Sequence, residues 1–327
     1  MRNKILDILK NQQREEFVSG ESISQALSIT RAAVWKQIQG LKEAGYEIEG
    51  QTKKGYRLVK IPCAIDLWAL QQELRTQALG RQLFLFEELP STNDRIKDMA
   101  RQGGEHGTVV IAKRQTIGHG RMQRVWESPD GGLWLSLLLK PRLSLGDAAK
   151  LTLSAGVALA QTLQDLYRLE VRIKWPNDIV IQGRKIAGIL GEVAGEWNTV
   201  QTLILGIGVN ANFSGQTLSP KIPAITLQDI LGHEVNLNHL TAELLFNLEK
   251  EVQSLEQGDV QGLIQRWTSF AVGINRPVRI EKAGISYGGI FKGIRENGEL
   301  VLDQEGQEIT FSSGEVSLRA EEQYSPE

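Results

Sequence analysis

Apolar positions in the first sixty residues keep a helical rhythm three times and then change to strict alternation. Ile5, Leu6, Ile8 and Leu9 predict a short amphipathic helix, and a second begins near Ser19-Gly20-Glu21 and runs through Ile23, Ala26 and Leu27. A third starts after Thr30, whose hydroxyl is suited to cap it, and places Val34, Ile38 and Leu41 at i, i+4 and i+7. Its other faces carry Arg31, Ala32, Trp35, Lys36, Gln39 and Lys42. Ser28-Ile29-Thr30 has the length of a helix-turn-helix link, and Gly45 ends the third helix. Tyr46 and Ile48, then Tyr56 and Leu58, alternate with polar neighbours on either side of a GQTKKG turn, so a hairpin presents Lys53 and Lys54 at its tip. Residues 1–61 therefore read as a winged helix-turn-helix domain.

The rhythm changes again further on. Short apolar runs predict strands at Leu83–Phe86, Val109–Lys113, Leu133–Leu139, Val171–Lys174, Ile179–Ile181, Lys185–Val193 and Leu203–Asn210. Helical spacing returns at 93–101, 148–167 and 238–256, the last with Leu240, Leu244, Leu248, Val252 and Leu255 in one stripe. Tight turns such as Gln182-Gly183-Arg184 join several strands, which favours a mixed, largely antiparallel sheet with helices on one side over a doubly wound one. After Arg276 come short strands with glycine turns, at Val278–Glu281, Gly288–Ile294, Leu300–Leu302, Glu308–Phe311 and Val316–Leu318, the pattern of an SH3-like β-barrel. The fold class is α+β, with a central domain over 66–271 and a C-terminal one over 272–327.

Composition narrows the class without naming a chemistry. No apolar run reaches the roughly 18 residues of a membrane span. The opening MRNKILDILKNQQREE has charges where a signal peptide is apolar. Cys63 is the only cysteine, so there is neither an internal disulfide nor a thiolate zinc cluster, and four scattered histidines argue against a protein-held metal. These features predict a soluble cytoplasmic protein. The net charge of −2 hides an asymmetry: residues 1–61 hold eleven Lys/Arg against seven Asp/Glu, and the remainder 26 against 32. A basic head on an acidic body suits a head that meets DNA, with Arg31 entering a groove and Lys53 and Lys54 gripping phosphate. A three-helix protein-interaction module with solvated lysines is the plainer alternative.

Four segments carry candidate chemistry. Ser91-Thr92-Asn93 follows the strand LFLF and opens a helix, where hydroxyls either cap the helix or bind a polar ring. Gln115 leads into Gly118-His119-Gly120-Arg121, with Arg124 and Trp126 behind, a loop fitted to approach an anion or else a plain surface hairpin. It lacks the Gly-Lys-Ser/Thr ending of a phosphate-binding P-loop. Lys174-Trp175-Pro176-Asn177-Asp178 turns into a hairpin whose second strand opens with Lys185 and continues through Gly188 to Glu192. A lysine heading an apolar strand either pairs with an anion or reaches back to solvent. Gly206, Gly208 and Asn210 close another apolar strand, where the glycines permit a flat ligand or merely a bulge.

In this order, STN, QxxGxGRxxRxW, KWPNDxxxxxxKxxGILxE and GxGxN, framed by a winged helix and a small C-terminal β-domain, resemble the bifunctional biotin protein ligases that double as biotin operon repressors. The resemblance runs nearly the whole length. It implies a class II synthetase-like catalytic domain that joins biotin to MgATP as biotinyl-5′-adenylate and passes the acyl group to a lysine of a biotin carboxyl carrier protein. It further implies that the adenylate favours a homodimer presenting two winged helices to operator DNA. Carried onto this chain, Ser91, Thr92, Asn93 and Gln115 would bind the ureido ring. Gly118, His119, Gly120 and Arg121 would close over the carboxylate, with Gly188 and Gly206 also lining biotin. Lys185 and Arg121 would meet carboxylate and α-phosphate, and Asp178 would relay the acceptor amine's proton. Arg124, Trp126, Asn177, Gly208 and Asn210 would border the adenylate, and the 211–223 connection would fold over adenine. His119 stands where relatives often have Arg, and Ala224 where some have an aromatic. A biotin sensor without catalysis and a lipoate ligase are the competing readings; retention of Lys185, Arg121 and Asp178 argues against the first, and the winged helix against the second.

Overall fold

The first three helices start and stop where their local chemistry dictates. In the computed structural model, which describes residues 1–10, 16–143, 148–194, 202–219, 223–282, 285–312 and 317–320, α1 spans Arg2–Lys10, α2 Gly20–Leu27 and α3 Arg31–Glu43. Ser19 Oγ accepts from Ser22 N at 2.9 Å and Thr30 Oγ1 from Ala33 N at 3.2 Å, so two helices have the caps their sequences offer. Ile5, Leu6, Ile23, Val34, Ile38 and Leu41 share one core. Strands β1 (Glu47–Gln51) and β2 (Gly55–Lys60) form the expected wing. Gly55 is required there: φ is +112°, and a Cβ would lie 2.0 Å from the Val18 carbonyl oxygen. A further helix, α4 (Leu67–Glu73), was not legible as such; its Trp68 is buried in the same core and donates Nε1–H to Asp7 Oδ1 at 2.7 Å. The first compact unit accordingly runs from Met1 to Gln72.

The second unit, Glu73–Glu327, is built on a seven-stranded sheet. Its strands are β3 (Leu83–Leu89), β4 (Thr108–Gln115), β5 (Leu133–Leu139), β6 (Arg172–Lys174), β7 (Asp178–Ile181), β8 (Arg184–Ala194) and β9 (Thr202–Val209). They lie in the order β3-β4-β5-β9-β8-β7-β6. Only β3 and β4 pair in parallel, joined by the crossover helix α5 (Thr92–Arg101); the other pairs are antiparallel. The sheet is therefore mixed and mostly antiparallel, as the turns predict. Gln182 and Gly183, both at positive φ, make the two-residue turn between β7 and β8.

Pleat parity shows which face each helix covers. Ile96 of α5 packs with Val110, Leu138 and Ile204, which the register puts on one face. Helix α6 (Ala148–Tyr167) lies on the other: Thr152 approaches Gly191 and Gly156 approaches Ile189, the alternate positions of β8. Helices α8 (Leu237–Glu256) and α9 (Val260–Phe270) pack beside α6, after the short α7 (Leu227–Leu231). The expectation of helices on one side is thus corrected: α5 crosses the opposite face, and β5 is buried on both.

Strands β10 (Pro277–Lys282), β11 (Ile285–Ile294), β12 (Leu300–Gln304), β13 (Gln307–Phe311) and β14 (Ser317–Ala320) form an antiparallel sheet in the order β13-β12-β11-β10-β14. It is consistent with an SH3-like domain, although no pairing closes it into a barrel among the described residues. Val316, expected to open the last strand, lies outside the described residues. Phe291 of β11 meets Trp267 of α9 edge-on, and Trp175 donates to the Gly298 carbonyl at 3.1 Å, so this sheet is fastened to the seven-stranded layer. Among the described residues no helix is long and apolar enough to cross a membrane.

Candidate active site

The face of the sheet crossed by α5 gathers nearly every residue singled out by the sequence. Ser91 is the N-cap of α5, buried, and its hydroxyl makes no capping bond. Thr92 next to it binds the end of β4: its N–H and Oγ1 lie 2.8 and 3.0 Å from Gln115 Oε1. Gln115 Nε2 then donates to Ser128 Oγ at 2.8 Å. Asn93 is also buried, and Gly206 of β9 makes room for it, since a Cβ there would lie 2.3 Å from Asn93 Oδ1. The STN segment thus forms a polar wall, and helix capping does not account for it.

The loop after β4 folds into a small hairpin. Trp126 N donates to Gly118 O at 2.8 Å and Gly120 N to Arg124 O at 2.7 Å. A Cβ on Gly118 would strike the Trp126 carbonyl at 2.3 Å, so the glycine is a steric requirement. Arg121 donates to Asn177 Oδ1 at 2.9 Å. Burial lowers the Arg121 guanidinium below its ordinary pKa; the nearby Asp178 carboxylate opposes that, and Arg124 adds to it. His119 is turned toward α5, its Nε2 2.7 Å from Asp94 Oδ2. Arg124 is exposed.

Asn177 and Asp178 follow the cis Trp175–Pro176 peptide bond. Asn177 is held by β8 at both ends, its Nδ2 donating to Ile189 O at 2.8 Å and its carbonyl accepting from Ile189 N at 3.0 Å. Lys185 pairs with Asp178, Nζ to Oδ1 at 2.6 Å, and stands 5.0 Å from the Trp126 ring centroid. The alternative of a lysine reaching to solvent is excluded by its 21% side-chain exposure. Lys185 is therefore paired with the Asp178 carboxylate, and Arg121, bonded to the adjacent Asn177, lies in the field of the same charge. Asn210, buried at the end of β9, has Nδ2 3.4 Å from Lys185 O and 3.3 Å from Ile225 O, and so braces the Lys185 backbone. Ala224 forms an isolated parallel bridge with Lys185. Residues 220–222 of the 211–223 connection lie outside the described residues.

The glycines of β8 and β9 form a flat surface, and Trp126 lies on it. A Cβ on Gly208 would come 2.6 Å from Trp126 Nε1, and one on Gly188 3.0 Å from the indole ring. The buried Nε1–H has no hydrogen-bond partner among the described residues. The floor is thus covered by the indole, and that ring, with a donor unused among the described residues and two cations nearby, offers an anionic ligand charge at one end and a flat face to lie against. Among the described residues no group of three His, Cys, Asp or Glu is placed to hold a metal ion. Motif reading missed Ser136 and Ser128, and quoted Glu192 without a role. The lone polar residue in the apolar strand LWLSLLL was the available signal for Ser136.

In the first unit, Arg31, Ala32, Trp35 and Lys36 are all exposed on α3, and Lys53 and Lys54 are exposed at the wing tip. Arg31 makes a long, solvent-exposed contact of 3.8 Å with Glu21.

Three family models match successive parts of the chain: an HTH domain over residues 2–57, the Biotin/lipoate A/B protein ligase family over 85–210, and the Biotin protein ligase C terminal domain over 273–319. The bifunctional ligase/repressor BirA of Bacillus subtilis (strain 168) is 34% identical over 317 residues, which cover 96% of this chain and 97% of that protein. The chain belongs to the bifunctional ligase/repressor family. BirA of Escherichia coli (strain K12), another member, is 35% identical over 323 residues, covering 98% and 97% of the two chains. A solved biotin protein ligase from Aquifex aeolicus, in complex with biotin and ATP, superposes with a TM-score of 0.65 at 28% identity, covering 73% of this chain and 99% of that one. As a bifunctional ligase/repressor family member, the chain joins an HTH domain to a biotin ligase catalytic domain.

Proposed function

We propose that this chain activates biotin with ATP as biotinyl-5′-adenylate, transfers it to one lysine of a biotin carboxyl carrier protein, and represses transcription in response to biotin. The observation that carries the reading is the Lys185–Asp178 ion pair, with Arg121 bonded to the adjacent Asn177 beside the glycine floor, in a chain alignable end to end with bifunctional ligase/repressors. In this reading the labour divides among 1–61, 66–271 and 272–327, with the first compact unit reaching Gln72.

In the first step the biotin carboxylate attacks the α-phosphorus and pyrophosphate leaves. Two anions must meet, and charge grows on the phosphoryl oxygens, so the site needs fixed cations. Lys185 and Arg121 supply them. Ser91, Thr92, Asn93 and Gln115 hold the ureido ring, with Gly118, His119, Gly120, Gly188 and Gly206 shaping the space around it. Gly208, Asn210, Arg124, Trp126 and Asn177 border the adenylate. In the second step the acceptor amine attacks the acyl carbonyl, AMP leaves, and Asp178 receives the amine's proton. Magnesium carried by the nucleotide would neutralise phosphate charge, and Asp178 is the residue that would help to hold it, since such an ion usually takes one or two carboxylates besides the phosphates.

The exposed face of α3 and the wing tip suit operator DNA, Arg31 and Trp35 toward base edges and Lys53 and Lys54 toward phosphate. Adenylate favours a homodimer that presents two such faces. The test combines purified full-length protein with biotin, ATP and a carrier domain, scored for covalent biotin, and titrates operator DNA with and without biotin plus ATP. Biotin on the carrier and ligand-enhanced DNA binding are expected. An unlabelled carrier refutes the ligase reading; operator affinity and sedimentation identical in both samples refute the repressor reading.

A further inference from the structure

A chain of hydrogen bonds runs behind the polar wall to a charge that motif reading leaves without a task. Glu192 of β8 faces α5, its Oε2 2.7 Å from Asn93 Nδ2 and its Oε1 2.8 Å from Lys97 Nζ. Asn93 Oδ1 lies 2.5 Å from Ser136 Oγ, which is also 2.7 Å from Thr92 Oγ1. Asn93, Ser136 and Thr92 are all buried, while Glu192 closes the line at the edge.

Donor and acceptor counting gives this line a direction. An ionised carboxylate only accepts, so the amide of Asn93 must turn its NH2 toward Glu192 and its oxygen toward Ser136. That oxygen also only accepts, which commits the single proton of Ser136 to Asn93. The proton of Thr92 is then drawn inward, to Ser136 Oγ or to Gln115 Oε1, and only lone pairs of Thr92 Oγ1 are left for a ligand. From Ser136 through Asn93 to Glu192 each bond points toward the carboxylate, and such a line polarises cooperatively where water is excluded.

We propose that Glu192 is a positioning residue for substrate recognition: through Asn93 and Ser136 it holds Thr92 Oγ1 as a polarised acceptor for an N–H of the cyclic urea. The inference rests on the biotin reading above and assigns the urea's N–H, not its carbonyl, to Thr92. Glu192→Gln has nearly the same shape but can donate. Asn93 is then free to reverse and offer its NH2 to Ser136, and the line loses both its direction and its anion.

The test uses the full-length chain. Biotin affinity is measured by calorimetry without nucleotide, and biotin and ATP KM values by adenylate formation. For Glu192→Gln the biotin Kd and KM are expected to rise at least tenfold, with the ATP KM, kcat at saturating biotin and Tm near wild type. Ser136→Ala interrupts the same line away from the ion pair, keeps the test open should Glu192→Gln lose its fold, and is expected to show the same split. The double variant is expected to bind biotin no worse than Ser136→Ala alone, because both act on one path. A biotin Kd within twofold of wild type in Glu192→Gln, or additive losses in the double variant, overturns the proposal while the ligase reading stands. A wild-type chain that does not bind biotin overturns both.

Discussion

Lys185→Ala is expected to slow adenylate formation about 10²–10³-fold while leaving the fold in place, since removing one preorganised partner of transition-state charge costs about 2.7–4 kcal/mol. The structure supports that size. Lys185 and Asp178 side chains are 21% and 24% exposed, a half-buried setting in which an effective dielectric near 20 applies. There a unit charge about 4 Å from another is worth about 4 kcal/mol. The substitution spares the main-chain bonds of residue 185, N–H to Pro223 O at 2.8 Å and C=O from Ile225 N at 3.0 Å, so the strand end keeps its path. Asp178 loses its nearest cation but stays in the field of Arg121. The loss belongs mostly in the rate constant, because the charge Lys185 answers grows during the step. Rapid-quench measurement of adenylate from biotin and ATP, at saturating concentrations of both, reads it directly, with circular dichroism and thermal melting as controls on folding. A folded variant retaining more than half the wild-type rate would show that Lys185 is not the cation the reaction uses.

Arg121→Gly removes the bond to Asn177 and one buried cation, so the adenylate should escape faster and biotinylate bystander lysines; unchanged adenylate dissociation, with label confined to the carrier, would contradict this. Deleting residues 1–72, the first compact unit, should abolish DNA binding and preserve at least part of the ligase activity. In the full-length protein DNA affinity should fall steeply with salt, as released counterions require, and salt-independent binding would argue against a phosphate-gripping face. Glu249 is buried and accepts from the main-chain N–H groups of Gln77, Ala78 and Leu79 at 2.7, 2.7 and 2.9 Å, so Glu249→Ala strands three donors. A loss of about 3–5 kcal/mol in urea unfolding is expected, allowing for partial rehydration of donors that cost about 1–3 kcal/mol each, and a loss below about 1 kcal/mol would mean that water replaces the carboxylate.

Local pattern was enough for most elements and for nominating candidate site residues. Thr30 and Val34, Ile38, Leu41 specify α3 by capping and spacing, and the predicted strands recur with ends shifted by a few residues, because periodicity and turn chemistry are properties of neighbours in the chain. The stripe Leu263, Trp267, Phe270 marks α9 equally well, with Asp259 capping it through Gly262 N, although it was not among the predicted helices. Other features were never in the local pattern. Pleat parity says that Ser136 shares a face with Leu138 but not that Asn93, 43 residues away, will lie across it. Glu192 lies 99 residues from the amide it orients, and Trp68, beyond the expected end of the head, donates to Asp7 across 61 residues. The flat group lying on Gly188 and Gly208 is the chain's own Trp126, which no spacing of glycines reveals. Side-chain type and order determined which chemistry was possible here. Strand order and the face taken by α5 decided which of those groups meet, since they depend on burying surfaces far apart in sequence.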